Sequence, residues 1–352
     1  MKSGVVTGRE YVELVEACKR GAYALPAVNV VGTNSVNAVL EAASNARSDV
    51  IIQISNGGAQ FFAGQGIQDA LRAKVLGAVS MAQHVHTVAK DYGVCVVLHT
   101  DHANRGLLPW IDGLIVENRM HFEKTGSPLF SSHMLDLSEE PVSQNIDTCA
   151  KYHEALAELN ISLEIELGVT GGEEDGVGSD DVSDNSRLYT QPEDVWYAYQ
   201  TLNDIGHFSI AAAFGNVHGV YRPGNVHLRP SILDDCQKYI SSRISGANSK
   251  PCDFVFHGGS GSGKNDVSKA VDYGVFKMNI DTDTQFAFSS ALFSFMEPNS
   301  QAFKHQIDPD TGKPNKSLYD PRKSLREAEK GIVARLQEAF DVLGSANKTI
   351  AD

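Results

Sequence analysis

The chain has 352 residues, 42% of them apolar and 21% charged, the balance of a globular protein with ample material for a core. That length is too great for one small domain and fits one large α/β barrel with insertions. A formal net charge of −14 argues against nucleic acid or an anionic membrane as partner, and an anionic substrate would need a site made locally positive by a metal or by placed Lys and Arg side chains.

The N-terminal stretch MKSGVVTGRE has no apolar core of a signal peptide, and no later run approaches the length of a membrane span. Cys18, Cys95, Cys149, Cys236 and Cys252 are odd in number and widely spaced, with no C-x-x-C, so neither a disulfide framework nor a cysteine zinc site is expected. Buried free thiols in a reducing cytoplasm are the expectation.

In chain order, eight short apolar runs recur with room for a helix between them. They are 26–31 (PAVNVV), 50–55 (VIIQIS), 94–101 (VCVVLHTD), 129–137 (LFSSHMLDL), 162–168 (SLEIELG), 208–215 (FSIAAAFG), 253–261 (DFVFHGGSG) and 275–283 (VFKMNIDTD). Several lack polar alternation, as parallel strands buried on both faces do. Helices are predicted over 35–47 and 70–91, where Leu, Val and Ala fall at helical intervals. Thr190 and Glu193 read as a capping box opening a helix through Trp196, Tyr199 and Leu202 that ends near Gly206. Asp320-Pro321 reads as a cap and first-turn proline, with Leu325, Ala328, Ile332, Leu336, Ala339 and Leu343 on one face of the helix that follows. Three segments are expected to be loops: 171–187, 242–251 and 303–320, the last because its Pro and Gly content opposes a helix. Eight strands alternating with helices give a parallel sheet, and eight is the number that closes a barrel. The expected fold is a single α/β domain over 1–352, a (β/α)8 TIM barrel with an extended C-terminal helical region from about 303. The alternative is an open doubly wound sheet.

Catalytic residues of a barrel enzyme sit at the C-terminal ends of its strands, and here the polar chemistry gathers there. The runs end in Ser55-Asn56-Gly57-Gly58, His99-Thr100-Asp101-His102, Asp136, Asn216-Val217-His218-Gly219, His257-Gly258-Gly259-Ser260 and Asn279-Ile280-Asp281-Thr282. The fifth run carries Glu164 and Glu166 on one face. The N-terminal ends show no such pattern. His102, His218 and His257 would converge at the barrel mouth, and three imidazoles leave an open position on a zinc ion. Two acidic groups within a strand demand partners, and one of them is a reasonable metal ligand. His99 is expected to be structural, and His84 and His86 to be surface or packing residues of a helix. The segment 258–265 has the G-x-x-x-x-G-K spacing of a P-loop, but Asn265 stands where Ser or Thr must reach magnesium. Its glycines more simply let backbone N–H groups approach a phosphate.

These stretches resemble class II, metal-dependent fructose-bisphosphate aldolases. The matching segments are PAVNVVGTNSVNAVLE, SNGGAQFFAG, LHTDH, LLPWIDG, PLFSSHMLDLSEE, LEIELGVTGGEEDG, LYTQPEDV, AAAFGNVHGVY, FVFHGGSGS, KMNIDTDTQ and YDPR, in order along most of the chain. The GGEEDG loop and the long C-terminal region are similar to the dimeric, fructose-specific branch, with tagatose 1,6-bisphosphate aldolases the nearer competitor.

The resemblance implies zinc-dependent cleavage and formation of fructose 1,6-bisphosphate from dihydroxyacetone phosphate and glyceraldehyde 3-phosphate, through a metal-stabilised enediolate. It implies His102, His218 and His257 as zinc ligands, with Asp136 and Glu166 at an alternative or second metal position. Asp101 would exchange a proton with the aldehyde oxygen, and Glu174 would take the proton from C1 of dihydroxyacetone phosphate. Gly219, Gly258, Gly259, Ser260, Asn279, Ile280, Asp281 and Thr282 would hold that substrate. Ser55, Lys316 and Arg322, with Asn29 nearby, would bind the other phosphate end. Backbone groups of Val217, Gly219 and Gly258 would accept a monovalent cation, Na+ or K+. A cytoplasmic homodimer is implied. Two other readings stand beside this one: a Schiff-base aldolase using Lys277, and a non-catalytic protein that keeps the fold.

Overall fold

The computed structural model describes residues 1–169, 171–174, 177–179, 189–218, 228–246, 249–259 and 262–352. Its strands are β1 (Gly4–Val5), β2 (Leu25–Asn29), β3 (Val50–Ile54), β4 (Cys95–Thr100), β5 (Ser132–Leu135), β6 (Ser162–Leu167), β7 (Gly171–Glu174), β8 (Val177–Ser179), β9 (Phe208–Ala212), β10 (Val217–His218), β11 (Phe254–Phe256) and β12 (Val275–Ile280). Its helices are α1 (Arg9–Gly21), α2 (Thr33–Ala46), α3 (Asn56–Ala63), α4 (Ala70–Val88), α5 (Leu108–Thr125), α6 (Val142–Ala157), α7 (Pro192–Leu202), α8 (Ser231–Ser241), α9 (Lys264–Asp272), α10 (Thr282–Met296), α11 (Lys316–Tyr319) and α12 (Pro321–Val342).

Each of the eight apolar runs forms a strand, and all eight pair in parallel in the ring β2-β3-β4-β5-β6-β9-β11-β12. Pairing of β4 with β5 and of β12 with β2 closes that ring, which overturns the open-sheet alternative. One large core lies between the strands and the outer helices. A second fills the barrel itself: Tyr11, Leu14, Val15 and Cys18 from one face of α1 pack on Leu25, Ile51, Val97, Met134 and Phe276. The period-two geometry of a strand then decides what the inner face carries further up. Leu25 and Ala27 lead to Asn29, Ile51 leads to Gln53, and Val97 leads to His99 and Asp101, so an apolar floor gives way to a polar mouth.

The C-terminal region packs α12 against α2 and α10. Asp320 caps α12 by accepting from Arg322 N at 3.0 Å, with Pro321 in the first turn. Ala328, Ile332, Leu336 and Ala339 are buried as the spacing predicts. A Cβ on Gly331 would lie 2.4 Å from the Ala287 carbonyl oxygen, so only glycine lets α12 approach α10 this closely.

Four expectations need correction. Thr190 is not a helix cap: its hydroxyl donates to Leu167 O at 2.5 Å and accepts from Ala213 N at 2.8 Å, and α7 opens after Gln191 with Pro192. The segment 303–320 contains one short helix, α11, placed beyond its proline and glycine. Within 171–187, β7 and β8 form an antiparallel hairpin whose first strand pairs in parallel with β10. The N-terminal end of the barrel also carries a polar network. There Lys19 Nζ lies 2.5 Å from Asp253 Oδ1, Asp253 Oδ2 lies 2.8 Å from His207 Nε2, and His207 Nδ1 lies 2.7 Å from Ser162 Oγ. This chain of contacts ties α1 to the starts of β6, β9 and β11. No described helix is long and apolar enough to cross a membrane.

Candidate metal centre and active site

The site grows from the last turn of β4. Asp101 N donates to Ile54 O at 3.0 Å, keeping the chain in sheet register. At the next residue the backbone leaves it: His102 has φ 32, in the left-handed region that non-glycine residues seldom enter. Strain of this kind persists where the surroundings over-determine it, typically at a functional position.

The His102 ring reaches the ends of β5 and β6. Its Nδ1 lies 3.1 Å from Asp136 Oδ2 and 3.7 Å from Glu166 Oε2. Asp136 is aimed by Ser138, whose backbone N–H and hydroxyl bind the other oxygen at 3.2 and 2.7 Å. From β11, His257 places Nδ1 3.3 Å from Glu166 Oε2, and its ring centroid is 4.7 Å from that of His102. The ligand atoms of His102, Asp136 and Glu166 all lie within 4.8 Å of one another, as do those of Asp101, His102 and His257. Imidazole nitrogens and carboxylate oxygens so close together fit a borderline divalent cation.

The electrostatics agree. Burial would raise the Asp136 carboxyl, yet the His102 ring and Ser138 hold it below the usual carboxylate range. Burial would lower His257, but hydrogen bonds to Glu164 and Glu166 raise it to about 9. Without a metal the carboxylates thus hold a proton on His257, and metal must displace it.

His218 is the last residue of β10, which pairs with β7. Asn216, two residues earlier, donates to the His257 carbonyl at 3.0 Å, so this backbone is attached to the β11 end. The side chains of His218 and Glu174 lie outside the described residues, as do Gly219 and Ser260. Glu174 ends β7 and pairs with Val177.

Asp101 is buried and held by three amides. Asn29 Nδ2 and Gln53 Nε2 donate to Oδ2 at 3.0 and 2.9 Å, and Asn279 Nδ2 donates to Oδ1 at 3.2 Å. Asn29 and Asn279 were expected among the substrate-binding residues, and here both bind Asp101. Gln53 was missed. Its signal is a lone amide in the run VIIQIS, two residues from Ile51 on the inward parity.

Lys277 is 1% exposed, with both Glu164 oxygens within 2.9 Å of its Nζ. Burial would raise the Glu164 carboxyl, but Lys277, His99 and His257 hold it below the usual range. The amine is thus an ion-pair partner, and the imine alternative loses its nucleophile.

A family model described as class-II fructose-bisphosphate aldolase matches residues 9–348. The chain belongs to the class-II fructose-bisphosphate aldolase family. It is 54% identical over 351 residues to fructose-bisphosphate aldolase of Campylobacter jejuni, covering 99% of this chain and 98% of that one. It is 51% identical over 350 residues to fructose-bisphosphate aldolase class 2 of Escherichia coli K12, covering 98% and 97%. The crystal structure of the Campylobacter jejuni aldolase superposes with a TM-score of 0.90 at 52% identity, over 99% of this chain and 98% of that one.

The remaining family positions divide in two. Near the mouth, Ser55 caps α3 by accepting from Gly58 N at 3.1 Å. A Cβ on Gly259 would lie 2.6 Å from Met278 Cγ and 3.2 Å from Asn279 O, so glycine is needed there. Ile280 ends β12, and Asp281 and Thr282 open α10, whose first N–H groups suit an anion. Lys316 and Arg322 stand apart. Both are exposed, and Arg322 binds Asp320 at 2.6 Å. Among the described residues, neither touches the Asp101 cluster.

Proposed function

We propose that the chain, as one domain over 1–352, reversibly cleaves fructose 1,6-bisphosphate to dihydroxyacetone phosphate and glyceraldehyde 3-phosphate. The observation that carries this reading is the convergence of His102, His257, Asp136 and Glu166 beside Asp101, in a chain of this family. His102, His218 and His257 would hold zinc, with Asp136 and Glu166 at a second or alternative position. Bound zinc would supply Lewis-acid stabilisation of negative charge on the ketone oxygen.

In the cleavage direction Asp101 takes the proton of the hydroxyl that becomes the aldehyde. The carbon–carbon bond then breaks, and Glu174 returns a proton to the carbon left on the ketone fragment. Condensation reverses these steps, with Glu174 removing the C1 proton. Asn29, Gln53 and Asn279 keep the Asp101 carboxylate oriented without occupying all of its lone pairs. Gln53 Oε1 and Asn279 Oδ1 are buried without a partner among the described residues, and substrate hydroxyls would satisfy them. The glycines at 219, 258 and 259, with Ser260 and residues 279–282, would hold dihydroxyacetone phosphate. Ser55, Lys316 and Arg322 would bind the second phosphate. A monovalent cation, Na+ or K+, would bind the backbone at Val217, Gly219 and Gly258; the φ of 60 at Gly258 turns that backbone sharply.

A homodimer is part of the reading. Along α10, Phe286 and Phe293 are 73% and 60% exposed and lie seven residues apart, on one stripe. Past Asp283 that helix bears no charge, so two copies of an acidic chain can meet there without repulsion. Five buried free cysteines favour a reducing cytoplasm.

The test is cleavage of fructose 1,6-bisphosphate before and after EDTA, followed by zinc add-back, with tagatose 1,6-bisphosphate as competitor. Loss on chelation and recovery with zinc is expected. Activity that survives complete metal removal, or a preference for the tagatose substrate, would overturn the assignment.

A further inference from the structure

One buried cation has no part in the steps above. Lys277 on β12 reaches across the barrel to β6 and binds both oxygens of Glu164, at 2.9 and 2.7 Å. Glu164 Oε1 also accepts from His257 Nε2 at 2.9 Å. A carboxylate only accepts, so the hydrogen at that contact sits on Nε2. In the neutral ring that binds a metal, the lone pair is then on Nδ1. That atom is the one 3.3 Å from Glu166, and the His102 ring centroid lies 4.7 Å from that of His257, tilted by 56°.

Glu164 and Glu166 are two residues apart on one face of one strand, and both are 1% exposed. Nothing in their chemistry decides which carboxylate serves a metal. Lys277 does decide, because it binds Glu164, while Glu166 lies beside the His102 and His257 rings. We propose that Lys277 is a positioning residue of the metal centre: it keeps Glu164 out of the ligand set and fixes it as the group that aims His257 Nδ1 at the metal. The inference rests on the assignment of His257 as a ligand. Outer groups that orient a metal-binding histidine are worth roughly 10–100-fold in metal affinity.

Cobalt(II) titration of the metal-stripped protein, followed by its visible absorption, tests this. Lys277→Met leaves one extra negative charge beside the metal, so a lysine acting through charge alone predicts tighter cobalt. Positioning predicts the opposite: Kd raised about 10–100-fold and an altered visible band. The variant Glu164→Leu/Lys277→Met keeps the net charge, replaces a buried ion pair by apolar groups that folds tolerate, and removes the His257 contact. It is expected to bind cobalt at least about tenfold more weakly, and it carries the test if Lys277→Met does not fold. Unchanged or tighter cobalt in Lys277→Met, or unchanged Kd in the double variant, overturns the positioning role. His257→Ala separates the two levels. If it loses cobalt while the Lys277 variants do not, the ligand assignment stands and the positioning role falls. If it binds cobalt as the parent does, both fall.

Discussion

Gln53 Nε2 lies 2.9 Å from Asp101 Oδ2 and 2.5 Å from Asn29 Oδ1, so one buried amide joins three neighbouring strands at the Asp101 carboxylate. Hydrogen bonds to a charged group are worth about 1.5–3 kcal/mol. Gln53→Leu is therefore expected to lower kcat by roughly 10–100-fold while metal content stays at the parent level. Steady-state kinetics with metal analysis on the same samples checks this, and a change confined to KM would place Gln53 in substrate binding.

The role proposed for Glu174 is separate from that of the metal cluster. Glu174→Ala is expected to leave bound metal unchanged and to cut turnover by about 10²–10⁴, the usual scale of general acid–base help. Exchange of the C1 proton of dihydroxyacetone phosphate with solvent, followed by NMR, should fall in parallel. Metal loss matching the loss of turnover would remove Glu174 from that role.

The polar network at the N-terminal end of the barrel predicts an acid limb of stability. Burial would raise the Asp253 carboxyl, but His207 and Lys19 outweigh it and hold it below the usual range. A carboxyl depressed in the fold contributes its full stability above the unfolded value of about 3.9 and loses it as pH falls through the folded value. Asp253→Asn should therefore cost about 3 kcal/mol at neutral pH. Its stability should also fall less steeply than the parent's below about pH 4. Urea melts across that range measure both; parallel curves would show that Asp253 does not supply the acid limb.

The bare stripe on α10 predicts the assembly. Phe286→Ser with Phe293→Ser removes apolar groups that the single chain leaves exposed. Stability of the single chain should change by no more than about 0.5 kcal/mol per site. On the proposed reading, light scattering should show a dimer for the parent and a monomer for the variant. A variant that remains dimeric would place the interface elsewhere.

Much of the candidate site was legible because its polar residues gather at the C-terminal ends of the strands. His102, His257, Asp136 and Asp101, which the structure brings together, all stand at or near the C-terminal ends of apolar runs, where strand periodicity ceases to demand an apolar side chain. Gln53 and the pairing of Lys277 with Glu164 were not found that way, since both lie inside strands. Their partners are 48 and 113 residues distant. The polar network at the N-terminal end of the barrel escaped for a related reason: Lys19, Ser162, His207 and Asp253 come from four separate segments, and each looks unremarkable in its own segment. Thr190 was misread because its hydroxyl finds the carbonyl of Leu167 and the N–H of Ala213 in the tertiary fold. A local capping rule has no access to those competitors.

Local order determined the strand number, the alternation with helices, the end of the barrel that bears chemistry and the family. These follow from hydrophobic period and from motifs contiguous in the chain. Only the closed ring decided which of two glutamates on one strand face pairs with Lys277, which amides hold Asp101 and which helix leaves two phenylalanines exposed. Those outcomes depend on which inward-facing residues of non-adjacent strands share a level in the barrel, and the level is set by strand register rather than by order along the chain.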